Sequence, residues 1–308
     1  MEKSGKIFVA GHENMTGAAI LRRSQAAGYV TLMPKSATGM VLTDQKTVLD
    51  FFMTERPDYV FITSAKIGGI SANSRFPAEF IYENIQSQTN VINAAWKSGV
   101  KKLLYLASSC IYPKECPQPM KEEYLLTGKL EPTSEPYAIA KIAGVRMCQS
   151  YSRQYGVNFI SAVPADLYGP MDDFNPETGH VLAALLSKMH RAKTSQTEMV
   201  VWGSGSPRRD CLHVDDLADA AFFLMDKYNN PEMINIGSGK DLSIKEMAGL
   251  IKDIAGFKGD IIFDTSKPDG MPRKLLDASK IRDLGWSPRI NMEEGIRQTY
   301  EWYVSHIK

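Results

Sequence analysis

The sequence predicts an α/β fold in which helices cover both faces of a parallel sheet. Two observations along the chain predict it. Short apolar runs that suit buried strands occupy residues 6–10, 58–65, 101–109 and 158–165. Segments with helical periodicity lie between them, near residues 45–55, 77–98 and 137–155. Alternation of this kind up to about residue 165 is typical of a doubly wound parallel sheet.

The first strand leads into a glycine-rich turn. KIFVA at residues 6–10 is followed by GHENMTG at residues 11–17 and by a helical segment that ends at Gly28. This order is the context of a Rossmann-type dinucleotide site, whose helix N-terminus holds a pyrophosphate. Asn14 occupies the place of a middle glycine, and Asn tolerates the left-handed conformation that we expect there. The candidate cofactor-binding residues of the turn are Gly11, Asn14, Met15, Thr16 and Gly17.

The most informative motif follows the third predicted strand. SSCIYP begins at Ser108, and EPYAIAK contains Tyr137 and Lys141, which a helix would place on one face. An ammonium beside a phenol favours the phenolate, so we expect Lys141 to lower the pKa of Tyr137. The Ser108 hydroxyl could hydrogen-bond the carbonyl oxygen of a substrate. The three residues could then protonate that oxygen while hydride reaches the carbonyl carbon. Taken alone, the Tyr–Lys spacing also fits an amphipathic helix whose Lys stem packs on the ring.

The pattern changes after DLYGP at residues 166–170, where Pro and Gly turns interrupt it. We expect a smaller mixed α/β domain there, which covers the carboxyl ends of the strands where such sheets bind ligands. LHVDDLADAAFFLMD, which begins at residue 212, is predicted to return to the larger domain. The predicted domains are therefore interleaved, and they comprise residues 1–165 with about 212–236, and about 166–211 with 237–308.

Composition indicates an ordinary globular enzyme. The 308 residues carry a formal net charge of +1, which provides no field for nucleic acid or an anionic membrane. Apolar runs stay well below the roughly 20 residues that span a bilayer. The start of the chain lacks the apolar core of a signal peptide, and four irregularly spaced Cys fit a reducing cytosol better than disulfides or zinc. We expect a cytoplasmic protein without a metal site.

Ten strings spread over the chain resemble the GDP-L-fucose synthase family of the extended short-chain dehydrogenase/reductases. Besides SSCIYP they include AKIGGI at 65–70, EPYAIAKIAG at 135–144, WGSGSPRR at 202–209 and SKPDGMPRKLLD at 266–277. The resemblance implies epimerisation of GDP-4-keto-6-deoxy-D-mannose at C3 and C5, then reduction at C4 with NADPH. It also implies that the smaller domain binds the nucleotide-sugar, and that the helices near 77–98 and 137–155 pair in a homodimer.

The resemblance also assigns catalytic roles. Without it, Cys110 is most simply a small buried hydrophobe and His180 a residue at the start of a helix. With it, Cys110 is the base and His180 the acid for the hydrogens alpha to the C4 ketone. Ser108 and Tyr137 then stabilise the enolate as well as the later alkoxide.

Further binding residues follow from the same resemblance. Arg209 is expected against the sugar or diphosphate, where bidentate contacts suit a guanidinium. The other substrate candidates are Lys188, Trp202 and Lys267. The remaining cofactor candidates are Lys35, Tyr137, Lys141, Pro164, Leu167 and His180.

The chain departs from the family pattern at the glycine-rich turn, in the segment MPKSATG and at Asp166. Glu13 and Asn14 replace an Arg and a Gly, and MPKSATG leaves Lys35 as the obvious cation for the 2′-phosphate of NADP, assisted by Ser36. Because no carboxylate ends the strand that precedes MPKSATG, as an NAD site would require, NADP is the expected cofactor. Asp166 stands where relatives usually have Asn, and its charge would change local pKa values.

Two alternatives remain. The chain could reduce C4 of a related GDP-4-keto-deoxy or heptose sugar without epimerising it, although the presence of Cys110 and His180 favours both reactions. It could also be an NADP sensor that catalyses nothing. A sensor could lose Tyr137 or Lys141 without penalty, so the intact set favours an enzyme.

Overall fold

The computed structural model describes residues 1–33, 40–63, 66–267 and 269–307. Its strands are β1 (Lys6–Ala10), β2 (Val30–Leu32), β3 (Tyr59–Ile62), β4 (Lys102–Leu106), β5 (Asn158–Pro164), β6 (Asp166–Tyr168), β7 (Met199–Trp202), β8 (Arg208–Arg209), β9 (Cys211–His213), β10 (Ile234–Ile236), β11 (Leu242–Ser243), β12 (Ile261–Asp264) and β13 (Arg273–Lys274). Its helices are α1 (Met15–Ala26), α2 (Gln45–Glu55), α3 (Ile70–Arg75), α4 (Pro77–Ser98), α5 (Glu135–Tyr155), α6 (Val181–Ser195), α7 (Val214–Lys227), α8 (Ile244–Ala255), α9 (Ser279–Asp283) and α10 (Met292–His306).

The central element is a six-stranded sheet in the order β10-β5-β4-β3-β1-β2. Every neighbouring pair in it is parallel. Strands β3 and β4 are buried along their whole length, which explains why they appear in the sequence as continuous apolar runs. The predicted α/β fold with a doubly wound parallel sheet is confirmed.

Helices cover the sheet on both faces. Helix α1 packs on α7, whereas α2, α4 and α5 pack side by side. The side chains of β4 alternate between these layers: Lys102 reaches the end of α7, and Tyr105, three residues later, reaches α5. Among the described helices, none combines the length and apolar character that crossing a bilayer requires.

The rest of the chain forms a smaller mixed layer. It contains a three-stranded sheet, β11-β8-β13, and the pairs β12-β7 and β6-β9. Helices α6, α8 and α10 enclose a second apolar cluster that includes Leu186, Met247 and Ile296. The larger cluster around the central sheet also takes in Leu276 and Trp286 from the late part of the chain.

The glycine-rich turn has a different geometry from the expected one. Gly11 takes the positive φ of +92°, while Asn14 is extended, with φ −88° and ψ 165°. The Asn14 side chain caps α1 by accepting a hydrogen bond of 2.8 Å from the Gly17 amide. The expectation of a left-handed Asn14 is therefore wrong, because this residue acts through its side-chain oxygen rather than its backbone.

Strand β4 is shorter than the apolar run that predicts it. It ends at Leu106, and Ser109–Ile111 form a 3-10 turn. Ser108 precedes the turn in extended conformation and accepts a hydrogen bond from the Cys110 amide on its side-chain oxygen. The serine hydroxyl therefore pairs with a backbone amide of the turn that follows the strand.

We predict that Lys102→Met destabilises the fold. The buried Lys102 ammonium lies 2.6–3.1 Å from the carbonyls of Leu224, Met225 and Tyr228 and from Asn229 Oδ1, at the end of α7. Burial lowers the pKa of Lys102 to about 8. The Leu224 carbonyl and Asn229 Oδ1 have other donors. Methionine would, however, leave the carbonyls of Met225 and Tyr228 without this partner, so the free energy of unfolding should fall by about 2–3 kcal/mol in urea denaturation.

The neighbouring Lys101→Met is the matched control. Lys101 is exposed and pairs with Glu2 and Asp58 at the surface, so its loss should change the urea midpoint little. Equal midpoints for the two variants would contradict the capping role of Lys102.

Candidate active site

Ser108 and Cys110 meet at the end of β4. The Cys110 thiol lies 3.2 Å from Ser108 Oγ. The 3-10 turn brings them together, because β4 has already ended at Leu106. Burial raises the pKa of Cys110, while Ser108, Lys274 and Lys141 oppose the rise. The thiol therefore needs these neighbours to act as a base.

Tyr137 and Lys141 lie on the first turns of α5. The Lys141 ammonium is buried and donates a hydrogen bond of 2.9 Å to the Leu106 carbonyl, and it lies 5.8 Å from the centroid of the Tyr137 ring. Burial lowers the pKa of Lys141 to about 8. Burial and then Cys110 raise the pKa of Tyr137, and only Ser108 acts to lower it. The prediction of a lowered Tyr137 pKa is therefore wrong, because burial outweighs any effect of the Lys141 ammonium.

His180 occupies the N-cap position of α6, with φ −66° and ψ 158°. Its side chain keeps access to solvent at the edge of the site. The pKa of His180 lies below its ordinary value, chiefly because of desolvation and also because of Lys274. The carboxylates Asp166 and Asp173 oppose this lowering. The imidazole and the Cys110 thiol are thus both influenced by Asp166 and Lys274, which places them around one group of charges.

Asp166 lies between two cations. Its Oδ1 accepts a hydrogen bond of 3.0 Å from Lys274 Nζ, and its Oδ2 lies 3.9 Å from Arg209 Nε. Burial alone would raise the pKa of Asp166, but Lys274, Arg209 and His180 outweigh it and hold the pKa below its usual value. The carboxylate therefore stays charged in the site.

Arg209 and Lys274 project from neighbouring strands β8 and β13. Arg209 Nη1 donates to the carbonyls of Arg208 and Met271, at 2.8 and 2.7 Å. This nitrogen therefore links β8 to the loop that leads into β13. Lys274 was not among the sequence candidates. Its place within SKPDGMPRKLLD was the signal that could have found it, since that string also contains Lys267.

Trp202 forms an exposed aromatic platform at the end of β7, with 62% of its surface accessible. The Lys188 and Lys267 ammonium groups lie 5.0 and 5.8 Å from its ring centroid. An aromatic face beside two cations suits a planar base that carries a diphosphate. The structure thus brings these three predicted residues together.

The glycine-rich turn, where we expect the cofactor, lies at the start of α1. A Cβ on Gly17 would clash with the Gly11 carbonyl, so the turn needs glycine there. Helix α1 presents its N-terminus next to this turn, which fits a pyrophosphate. Pro164 ends β5, and Leu167 lies in β6, one strand further along the chain. Lys35 lies outside the described residues.

Within the described ranges, no cluster of three or more His, Cys, Asp or Glu side chains could hold a metal ion.

Comparison with known proteins agrees with this geometry. Residues 7–237 match the NAD dependent epimerase/dehydratase family. GDP-L-fucose synthase 1 of Arabidopsis thaliana is 53% identical over 307 residues, which cover 99% of this chain and 95% of the relative. GDP-L-fucose synthase of Escherichia coli K12 is 47% identical over 311 residues, which cover 98% of this chain and 97% of the relative. The chain belongs to the GDP-L-fucose synthase family.

Solved structures extend the family comparison. A GDP-6-OMe-4-keto-L-xylo-heptose reductase from C. jejuni superposes with a TM-score of 0.93 at 37% identity and covers 100% of this chain and 99% of its own. A GDP-L-fucose synthetase from Naegleria fowleri bound to NADP superposes with a TM-score of 0.90 at 28% identity and covers 99% and 95%. The fold of the GDP-L-fucose synthase family thus also serves heptose reductases.

For this member of the GDP-L-fucose synthase family, we predict that Asp166→Asn lowers the pKa of His180. The Asp166 carboxylate raises that pKa, and Lys274, which lowers it, would lose its counter-ion. The imidazolium should therefore disappear at a lower pH than in the wild type. NMR titration of the histidine rings, with His180 assigned from a His180→Gln variant, measures the midpoint.

His190 provides the internal control of the same titration. Burial and Lys193 lower its pKa, and its Nδ1 lies 3.0 Å from the Tyr300 hydroxyl. The His190 midpoint should stay constant in Asp166→Asn. An unchanged or raised His180 midpoint would show that Asp166 does not govern this imidazole.

Proposed function

We propose that this chain is a GDP-L-fucose synthase, an NADP-dependent oxidoreductase that also acts as an epimerase. It converts GDP-4-keto-6-deoxy-D-mannose to GDP-L-fucose by epimerising C3 and C5 and then reducing C4. The observation that carries the proposal is the 3.2 Å contact between the Cys110 thiol and Ser108, on the turn that follows β4. It puts a candidate base beside a hydroxyl that can bind the carbonyl oxygen.

Epimerisation needs a base and an acid on opposite faces of the sugar. With O4 bound by Ser108 and Tyr137, the hydrogens at C3 and C5 are acidified by the neighbouring ketone. Cys110 removes these protons, and His180 returns a proton on the other face. Ser108 and Tyr137 donate hydrogen bonds to the enolate oxygen that forms in between.

Reduction uses the same oxygen-binding groups. Bound NADPH supplies hydride to C4. Tyr137 then donates its proton to O4, and Ser108 remains hydrogen-bonded to this oxygen. Because burial lowers the pKa of Lys141 only to about 8, its ammonium is mostly charged at neutral pH and can support proton transfer from Tyr137.

The remaining predicted residues bind the two nucleotides. The turn around Gly11 and the amides at the start of α1 hold the pyrophosphate of NADP, and Lys35 and Ser36 bind its 2′-phosphate. Pro164 and Leu167 line the nicotinamide side. The preference for NADP is supported by the Naegleria fowleri relative, which is bound to NADP.

The GDP part of the substrate occupies the Trp202 platform. Lys188 and Lys267 flank its ring at 5.0 and 5.8 Å and neutralise the diphosphate. Arg209 and Lys274 bind the sugar end, next to Asp166.

The proposal also covers the roles of the two layers, the assembly of subunits and the location of the enzyme. The smaller layer, about residues 166–211 and 237–308, binds the nucleotide-sugar, and the rest binds NADP. Two chains form a homodimer through α4 and α5, on which Tyr82 and Ile139 are exposed. The enzyme works in the cytoplasm.

A second candidate function is C4 reduction without epimerisation. The C. jejuni heptose reductase favours it, because it superposes on the whole chain with a TM-score of 0.93. Small displacements of the sugar decide whether Cys110 reaches C3 or C5. The identity of the product made from GDP-4-keto-6-deoxy-D-mannose separates the two functions.

Tyr137→Phe should abolish reduction. Loss of the phenol removes the proton for O4, so NADPH oxidation in the presence of GDP-4-keto-6-deoxy-D-mannose should fall at least about 100-fold. Exchange at C3 and C5 should fall less, because Ser108 still binds the enolate oxygen. Full NADPH oxidation by the variant would contradict the assigned acid.

Cys110→Ser should lose proton exchange at C3 and C5. A serine hydroxyl ionises far less readily than a thiol and so cannot supply the anionic base, and the keto-sugar should gain no deuterium in D2O without NADPH, while it still binds. Cys116→Ser, at a partly buried cysteine of the following loop, is the matched control and should exchange like the wild type. Exchange at the wild-type rate in Cys110→Ser would assign the base elsewhere.

A further inference from the structure

We propose that Tyr105 is a positioning residue that keeps the Lys141 ammonium charged and in place for proton transfer by Tyr137. Its consequence for reduction rests on the proposed function. Tyr105 belongs to β4 and is fully buried, and it lies outside both of the sequence motifs from which the catalytic set was predicted. Its role follows from the way in which β4, α4 and α5 meet around Lys141.

The Tyr105 ring forms one wall of the Lys141 site. Lys141 Nζ lies 5.0 Å from the centroid of this ring, closer than the 5.8 Å to the Tyr137 ring. The same ammonium donates its hydrogen bond to the carbonyl of Leu106, the residue next to Tyr105. Two consecutive residues of β4 thus supply an aromatic face and a carbonyl to one buried cation.

The ring is held in this orientation by a second chain of hydrogen bonds. The Tyr105 hydroxyl donates to Gln88 Oε1 at 2.7 Å, and Gln88 Nε2 donates to the Ala140 carbonyl at 2.6 Å. Gln88 is buried in α4, and Ala140 precedes Lys141 in α5. The link therefore connects both helices to the ring.

Gly144 in α5 makes room for the ring. A Cβ at this position would clash with Cζ and the hydroxyl of Tyr105. Glycine inside a helix lowers its stability, so its presence here is explained by the space that the Tyr105 ring requires. Here the Tyr105 ring occupies the volume that any other side chain would take, one turn after Lys141.

The electrostatic effect of the ring opposes that of burial. Burial favours the neutral amine and lowers the pKa of Lys141 to about 8, whereas a cation facing an aromatic ring is stabilised in its charged form. The titratable groups that face Lys141 are Tyr105 from β4, Tyr137 from its own helix and Cys110 from the 3-10 turn. With the midpoint at about 8, a fall of about half a pH unit roughly halves the charged fraction at pH 8 and changes it little below pH 7.

The first test measures Lys141 itself. Protein carrying ¹³C at the lysine ε-carbon is titrated by NMR, and the Lys141 signal is assigned by its loss in Lys141→Met. Tyr105→Phe keeps the ring but loses its hydrogen bond to Gln88, so the midpoint should fall less than it does when the ring is removed. Tyr105→Leu removes the ring, and the midpoint should fall by roughly half a pH unit. Gly144→Ala displaces the ring and should shift the midpoint in the same direction.

The second test measures reduction as a function of pH. Near pH 8, Tyr105→Leu should reduce the keto-sugar roughly 2-fold more slowly than the wild type, and near pH 6.5, where Lys141 is charged in both, the rates should converge. Phe52→Leu, which removes an equally buried ring from α2, is the control. It should change neither the Lys141 midpoint nor the shape of the pH profile.

An unchanged or raised Lys141 midpoint in Tyr105→Leu would overturn the proposal, as would a rate loss that is equal at both pH values. If Tyr105→Leu does not fold, Gly144→Ala decides by the same criteria. If the wild type reduces no GDP-4-keto-sugar, the proposed function fails, but the NMR titration still tests the positioning role.

Discussion

The hydrogen bond from the Lys141 ammonium to the Leu106 carbonyl is the contact on which the site depends. It fixes α5 to the end of β4, across the 2.9 Å between the two atoms. Because β4 ends at Leu106, the chain can turn and bring the Cys110 thiol to Ser108. One strand end therefore orients the groups for both proposed reactions. Epimerisation and reduction then act on a ketone that does not need to move between sites.

Charge balance around Asp166 is the second constraint. The Asp166 carboxylate faces the cations Lys274 and Arg209, and it also favours the imidazolium of His180. Lys274 in turn opposes the rise in the pKa of the Cys110 thiol. The proposed acid and base are therefore coupled through one ion pair. An amide at position 166 would leave both cations without this counter-ion.

Local patterns in the sequence were sufficient to predict the parallel sheet, the main helices and the placement of Tyr137 and Lys141 on one helix. Features that depend on tertiary contacts were not predictable from it. Asn14 was expected in a left-handed conformation but caps α1, since its side-chain oxygen has an amide to accept from. The Asp166–Lys274 pair joins residues 108 positions apart, and no periodicity reports such a contact. The raised pKa of Tyr137 likewise reflects burial, which a motif does not contain.

The central claim is that one set of side chains performs both epimerisations and the reduction. The most direct test is a single reaction of the wild-type protein with GDP-4-keto-6-deoxy-D-mannose and NADPH in D2O, with the product identified by NMR. The account predicts GDP-L-fucose with deuterium at C3 and C5. A reduced sugar of unchanged configuration without deuterium would contradict it, and would make the protein a C4 reductase in which Cys110 and His180 have other tasks.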